Sequence, residues 1–226
     1  MYLDVIDRST TASTVRQAAP SGELFATYIN LSGRRRFTSQ RVVLYAVLAS
    51  RQTPQAAEVA QEALKLFCDA HATLLKGVTG APGQVSPALH EAYFGKPQGN
   101  KVIMDFIGLA ERVLHAIEAQ WRHQLPVLLD ELVQSTTPLL ATLNSITAIY
   151  EQEARSHAKQ VESHLHGAID EIKSISKQAQ VVAINARIVA ARAGSAGREF
   201  ALVATELISI TSDIETILQT AMAKPA

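Results

Sequence analysis

Three consecutive arginines, Arg34, Arg35 and Arg36, follow Asn30 and Gly33 in a chain whose charge is otherwise evenly mixed. A guanidinium presents planar, paired donors that match two oxygens of a small oxyanion. Adjacent residues on a helix diverge by about 100°, so three in a row cannot share one face. Gly33, inside an otherwise helical pattern, costs about 1 kcal/mol relative to alanine and suggests close approach by another backbone or a ligand.

Other chemistry-bearing residues are sparse. His157, His164 and His166 are spaced by seven and two, which does not set a pair on one helix face as metal binding at i and i+4 would. They read as solvated side chains, with no metal expected. The lone Cys68 sits among apolar neighbours and reads as a small buried side chain rather than a reactive thiol. No Ser-His-Asp set, carboxylate pair or phosphate-cradling loop stands in a supporting context, so no catalytic residue and no cofactor is assigned. With 21 basic and 21 acidic residues, the chain carries no basic patch around the arginines, which argues against nucleic acid.

The elements that must position these residues are helices. Hydrophobic residues make up 47% of the chain, many of them alanine, whereas aromatics are 5%; that balance favours closely packed helices over a sheet. Residues 1–21 lack a sustained period and read as a flexible tail. A helix spans Glu23 to Ser50, its stripe formed by Leu24, Tyr28, Leu31, Phe37, Val42, Tyr45, Val47 and Leu48. A second runs to Leu75, with Thr53 as cap and Pro54 as first residue. Residues 76–100 are irregular, with one short helix in SPALHEAYFG. A third helix is expected from Lys101 to Val133, kinked near Gln124 by Pro126. Thr136-Thr137-Pro138 then restarts the chain as cap and first residue of a fourth helix. From Leu139 to Ala193 one helix about 80 Å long is expected, with a break at Gly167 as the alternative.

The C-terminal stretch has its own logic. Ile169, Ile172, Ser176, Ala179, Ala183, Ala186, Ala190 and Ala193 recur at alternating steps of three and four. Phe200, Val203, Leu207, Ile210, Ile214, Ile217 and Ala221 repeat the pattern after Gly194 and Gly197. These are heptad seams on two helices joined by a glycine-containing turn. The expected fold class is therefore all-α, an N-terminal four-helix bundle continuing through a long helix into an antiparallel coiled-coil hairpin. No apolar run approaches the ~20 residues needed to span a bilayer, and the N-terminus has no signal-peptide pattern; no membrane insertion and a cytoplasmic location are expected.

Two stretches resemble known families. Asn185-Ala186, Ala190 to Gly194, Gly197-Arg198, Phe200-Ala201, Val203-Ala204 and Glu206 resemble the hairpin tip of bacterial methyl-accepting chemotaxis proteins. The resemblance implies contacts at Asn185, Arg192, Ser195, Arg198, Phe200 and Val203 with a chemotaxis histidine kinase, its coupling protein or other chemoreceptors. Val189 stands where that family has a glutamate paired with Arg192, Ser195 replaces a glutamate and Glu199 a glycine, which puts ordinary kinase coupling in question. With the outgoing helix expected to end near Met222, the family's methylation is not expected.

Asn30 to Arg36 with Ser39-Gln40-Arg41 resembles the PilJ-type sensor domain shared with nitrate-responsive histidine kinases. That resemblance implies a homodimer in which two copies of Arg36, supported by Gly33, Asn30 and Arg35, hold a small oxyanion such as nitrate or nitrite. The plainer alternative is that Arg34 and Arg35 are simply solvated and only Arg36 points inward. The implied organisation is a tail over 1–21, a helical sensor over 22–155 and a shortened signalling hairpin over 156–226. The implied role is relay of ligand occupancy to the hairpin; the alternative is a non-sensing adaptor or scaffold that dimerises and joins chemoreceptor arrays.

Overall fold

The computed structural model describes residues 22–78 and 86–222. The expected tail over 1–21 lies outside them. Among the described residues there are six α-helices and no strand: α1 Gly22–Ser50, α2 Ala56–Val78, α3 Pro87–Phe94, α4 Gly99–Glu118, α5 Leu125–Arg192 and α6 Arg198–Met222. A 3₁₀ turn, Gly194–Gly197, joins α5 to α6. The fold is all-α. The chain divides into two compact units, with the division between Ser156 and His157.

In the first unit α1 packs chiefly against α2, and α4 contacts both. The facing positions are small. Ser32, Arg35, Ser39, Val42, Ala46 and Ala49 are buried along α1 at steps of three and four. Ala56, Ala60, Ala63, Phe67, Ala70 and Leu74 do the same along α2. Alanine and serine let two backbones approach closely, so the α1–α2 seam is polar and small rather than the aromatic and aliphatic stripe expected for α1. Phe37, placed in that stripe, is exposed, and Leu24 is at the edge of exposure. The large core side chains come instead from α2, α3, α4 and α5: Phe67, Tyr93, Ile103, Phe106, Leu132, Leu139, Leu143, Ile146 and Tyr150. Phe67 and Phe106 meet edge to face, their centroids 5.4 Å apart.

Three expected boundaries are corrected. Pro54 does not open α2; the helix begins at Ala56, whose amide donates to the Thr53 carbonyl, after a turn with Gln52 and Gln55 at positive φ. The third helix does not reach Val133. It stops at Glu118, where Gln120 takes a left-handed conformation, and Pro126 falls in the first turn of α5, where a missing amide costs nothing. Nor does Pro138 restart the chain. It lies inside α5 on the exposed side, with Gln134 exposed one turn earlier, so the carbonyl that proline leaves without an amide donor faces water. Buried Leu132, Leu139 and Leu143 hold the helix across it. α5 also continues through Gly167.

The second unit is an antiparallel hairpin. The Ser176 hydroxyl donates to the Thr211 carbonyl at 3.1 Å, and Gly197 lies against the backbone of Ala190. That register sets Ala183 level with Ala204, and all of these residues are buried. The seam on α6 is thus buried Ala204, Thr211 and Leu218 with half-buried Ala201 and Ile208, one position on from the one expected. Phe200, Val203, Leu207, Ile210 and Ile217, read as the seam, are exposed. Small residues win the inner face because they allow the closer helix approach, and the larger ones are turned outward.

Two glycine substitutions separate packing from propensity. A Cβ on Gly197 would fall inside van der Waals contact with the Ala190 carbonyl, whereas one on Gly167 meets open space. Gly197→Ala is expected to destabilise the hairpin by about 1–3 kcal/mol through overpacking. Gly167→Ala should stabilise it by roughly 0.5–1 kcal/mol through helix propensity. Thermal unfolding followed by circular dichroism checks both; shifts of the same sign would contradict the close contact at Gly197.

Candidate functional site

Two regions carry the candidate residues, one in each unit. In the second, the chain leaves α5 at Arg192, turns with Gly194 at φ +63°, and enters α6 at Arg198. Positive φ is the region where only glycine is unstrained. Asn185, Arg192, Ser195, Arg198, Phe200 and Val203 are all exposed around this turn. They are available for contact with another molecule, and Gly197, buried against Ala190, fixes the turn that presents them.

In the first unit the arginine run divides as helix geometry requires, but not as expected. Arg34 is exposed, Arg36 is half-buried, and Arg35 is completely buried. Arg36 Nη1 donates to Asn144 Oδ1 on α5 at 3.2 Å. Gly33 has no other backbone against it; its nearest neighbour would be Arg36 Nη2. Asn30 is exposed. The expectation that Arg35 is solvated is therefore wrong. It occupies a seam position of α1, one heptad step from both Ser32 and Ser39, and the seam carries it inside.

Around Arg35 the bundle assembles a polar cluster from five helices. Arg35 Nη1 lies 3.2 Å from His71 Nδ1 on α2, and His71 Nε2 lies 3.0 Å from Asn100 Oδ1 on α4. The Arg35 guanidinium stands 5.8 Å from the ring centroid of Tyr93 on α3. Tyr150 on α5 packs on Tyr28 of α1, their centroids 5.5 Å apart. Ser32, Arg35, His71, Tyr93 and Tyr150 are each at least nine-tenths buried. Among the described residues no carboxylate pairs with Arg35.

The electrostatics follow from that burial. Desolvation first, and then the Arg35 charge, lower the His71 pKa to about 4, opposed by the bond to Asn100. The imidazole is thus neutral near pH 7. Since Asn100 Oδ1 accepts from Nε2–H, Nδ1 is the acceptor for Arg35. Burial, then neighbouring Tyr93, push the Tyr150 phenol far above its ordinary range, so it too is neutral. Arg35, whose charge cannot be shed, is left as the one cation of the cluster.

The sequence reading missed His71, Tyr93, Asn100 and Tyr150. The signal was the alanine heptad of α2, which puts His71 beside its seam. Elsewhere, Cys68 is half-buried rather than buried, and burial, with Glu111 and Asp69 nearby, pushes its thiol up. Among the described residues no cluster of three metal-ligating side chains occurs, and no helix is long and apolar enough to cross a membrane.

The lowered His71 pKa sets a pH dependence. Its folded value lies below the unfolded value, so between about pH 6.5 and 4 the unfolded chain binds the extra proton. Stability contributed by neutral His71 is complete above about pH 6.5 and lost as pH falls through about 4. The loss is on the order of 2–3 kcal/mol. His71→Gln, measured by denaturant unfolding across this range, should flatten the acid limb. An unchanged limb would refute the assignment.

The family model for the methyl-accepting chemotaxis protein (MCP) signalling domain matches residues 128–216. The methyl-accepting chemotaxis protein TlpQ of Pseudomonas aeruginosa is 40% identical over 80 residues, covering 35% of this chain and 10% of that protein. McpK of the same organism is 46% identical over 55 residues, 24% of this chain and 8% of its own length. McpQ of Pseudomonas putida is 40% identical over 73 residues, 29% and 11% respectively. The chain thus spans about a tenth of the length of these curated relatives. No solved structure matches it significantly. Over residues 128–216, which include the hairpin, the chain is similar to a chemoreceptor signalling region.

Proposed function

We propose that the chain is a homodimeric chemoreceptor-like signal transducer whose hairpin tip docks onto chemotaxis components. The observation that carries this is a pair of exposed apolar stripes on the matched region. Along α5, Val161, Leu165, Ile172, Ile175, Val182 and Val189 are exposed at heptad spacing. Along α6, Phe200, Val203, Leu207, Ile210 and Ile217 are exposed in the same way, Val203 and Ile217 by about two-thirds (64% and 66%). A heptad stripe facing water is the seam of a coiled coil with another helix pair. A second copy of the hairpin supplies an identical, self-complementary pair of stripes, as a two-fold interface requires.

On this reading residues 22–155 are a PilJ-type sensor and 156–226 a signalling hairpin, with α5 common to both. A small oxyanion, nitrate or nitrite, is held between two copies of Arg36, with Asn30 and Gly33 beside it. The resemblance of residues 30–41 supports that site. Ligand bias of about 1–3 kcal/mol between two helix packings suffices for signalling. The tip residues Asn185, Arg192, Ser195, Arg198, Phe200 and Val203 contact a histidine kinase, its coupling protein or other chemoreceptors. Val189, apolar and exposed, favours apolar contact there over an ion pair with Arg192. An adaptor that joins receptors without sensing would show the same docking and no response to anions.

Sedimentation equilibrium tests the dimer. The full chain should sediment as a dimer, and Val203→Glu with Ile210→Glu should shift it to monomer while leaving the first unit helical. A monomeric wild-type chain would overturn the reading. Titration with nitrate and nitrite should include a site of one anion per dimer that Arg36→Ala removes. Pull-down of the kinase–coupling protein pair should be lost in Phe200→Ala; wild-type protein that captures neither would remove the docking role.

A further inference from the structure

Arg35 presents a second problem that the dimer does not address, because every group around it comes from one chain. With Nη1 directed to His71, its Nε and Nη2 meet no hydrogen-bond partner, and both are buried. These two N–H groups lie on one edge of the guanidinium plane. They are the parallel pair that grips two oxygens of a carboxylate or planar oxyanion. By strict geometry the buried hydroxyls of Ser32, Tyr93 and Tyr150 complete no hydrogen bond, although Tyr93 and Tyr150 lie close enough for a weak bond to one another. Ser32 stands one turn before Arg35 on α1, Tyr93 carries its ring against the guanidinium, and Tyr150 is close enough to both to feel their charges.

Five orphaned polar atoms in one cluster are not a neutral feature of a core. Native interiors pair nearly all such groups, and a buried cation without a counter-charge is costly unless compensated. Nε and Nη2 can only donate, and although each of the three hydroxyls can accept as well as donate, none is placed to receive from the guanidinium. The cluster also lacks a single negative charge, since His71 is neutral and Tyr93 and Tyr150 are phenols.

We propose that Arg35, Ser32, Tyr93 and Tyr150 form an intrachain binding site for one small monovalent anion with two oxygens in a plane, the chemistry shared by formate, acetate, bicarbonate, nitrite and nitrate. The Arg35 Nε–Nη2 edge grips two oxygens, and the hydroxyls satisfy their remaining lone pairs. His71, held by Asn100, is a positioning residue: it fixes Nη1 and so orients the free edge. A divalent anion is disfavoured, because only one positive charge faces it. The site has one anion per chain and depends on Arg35, whereas the paired-Arg36 site has one per dimer and depends on Arg36, so the two readings stand or fall separately.

The test uses the full chain, purified and titrated calorimetrically with formate, acetate, bicarbonate, nitrite, nitrate and sulfate at constant ionic strength. Ion chromatography of heat-denatured protein detects any anion carried through purification. The expected result is one monovalent anion per chain, bound on titration or released on denaturation, with sulfate at least tenfold weaker. Arg35→Met, which fills the same volume without charge, should fold and lose the anion. Arg35→Lys, which keeps the charge but not the two-donor edge, should bind at least tenfold more weakly, and in Arg36→Ala the one-per-chain anion should persist whether or not a second, one-per-dimer anion depends on Arg36. In ¹⁵N-labelled protein, the Arg35 Nε–H signal should shift with occupancy. Neither binding nor release by the wild-type chain would overturn the proposal, leaving the orphaned groups to water. One anion per dimer alone, lost in Arg36→Ala and kept in Arg35→Met, would overturn it while sustaining the dimeric site.

Discussion

Close approach of two helices through small residues is the constraint on which both units depend. In the first, α1 and α2 meet through Ser32, Ser39, Ala46 and Ala49 on one side and Ala56, Ala60, Ala63 and Ala70 on the other. In the second, Ala183, Ala190, Ala204 and Gly197 do the same work between α5 and α6. Such a seam removes little apolar area per residue, and at about 25 cal/mol per Å² the large side chains must find cover elsewhere. Where they go decides what each unit can do.

In the first unit they go into a core shared by α2, α3, α4 and α5. Arg35 is the exception, a long cation at a position where its neighbours are serine. The space between α1 and α2 cannot hold it, so its head group lies among His71, Tyr93 and the surrounding hydroxyls. In the second unit the described residues form only the two helices of the hairpin, and the large residues of α5 and α6 remain on the outside. Between Tyr150 and Ser176 α5 buries no residue at all. Helices with so little tertiary support are marginal in water, and the heptad spacing of Val161, Leu165, Ile172 and Ile175 continues through this stretch.

The hairpin was legible because glycine placement is local information: Gly194 and Gly197 mark the turn whatever surrounds them. Which α6 stripe faces α5 was not, because two heptad stripes run side by side, one large and one small. Hydrophobic pattern selects the large one, whereas backbone proximity selects Ala201, Ala204 and Thr211. The α1 seam failed to show for the same reason, being built from serine, threonine and alanine. Pro126 and Pro138 misled in opposite directions, since a proline's effect depends on whether its missing amide falls in a first turn or on a solvated face. Arg35 was passed over in favour of Arg36 on resemblance, yet a seam step from Ser32 already placed it inside. The partners of Arg35 come from α2, α3, α4 and α5, separated widely in sequence, and no local pattern joins them.

Two adjacent arginines on α1 thus reach the same helix. Arg36 donates to Asn144, and Arg35 lies within electrostatic reach of Tyr150, six residues further along α5. A charge-assisted hydrogen bond is worth about 1.5–3 kcal/mol, comparable to the coupling free energy that separates typical signalling states. An anion that rearranged either arginine would therefore act on α5 with enough energy to matter. No relay through intervening side chains is needed for that, because α5 carries both Tyr150 and, at its far end, Arg192 at the tip. Coupling of this kind requires only that the anion bind one packing of α1 on α5 better than another, since a ligand with equal affinity for both shifts nothing.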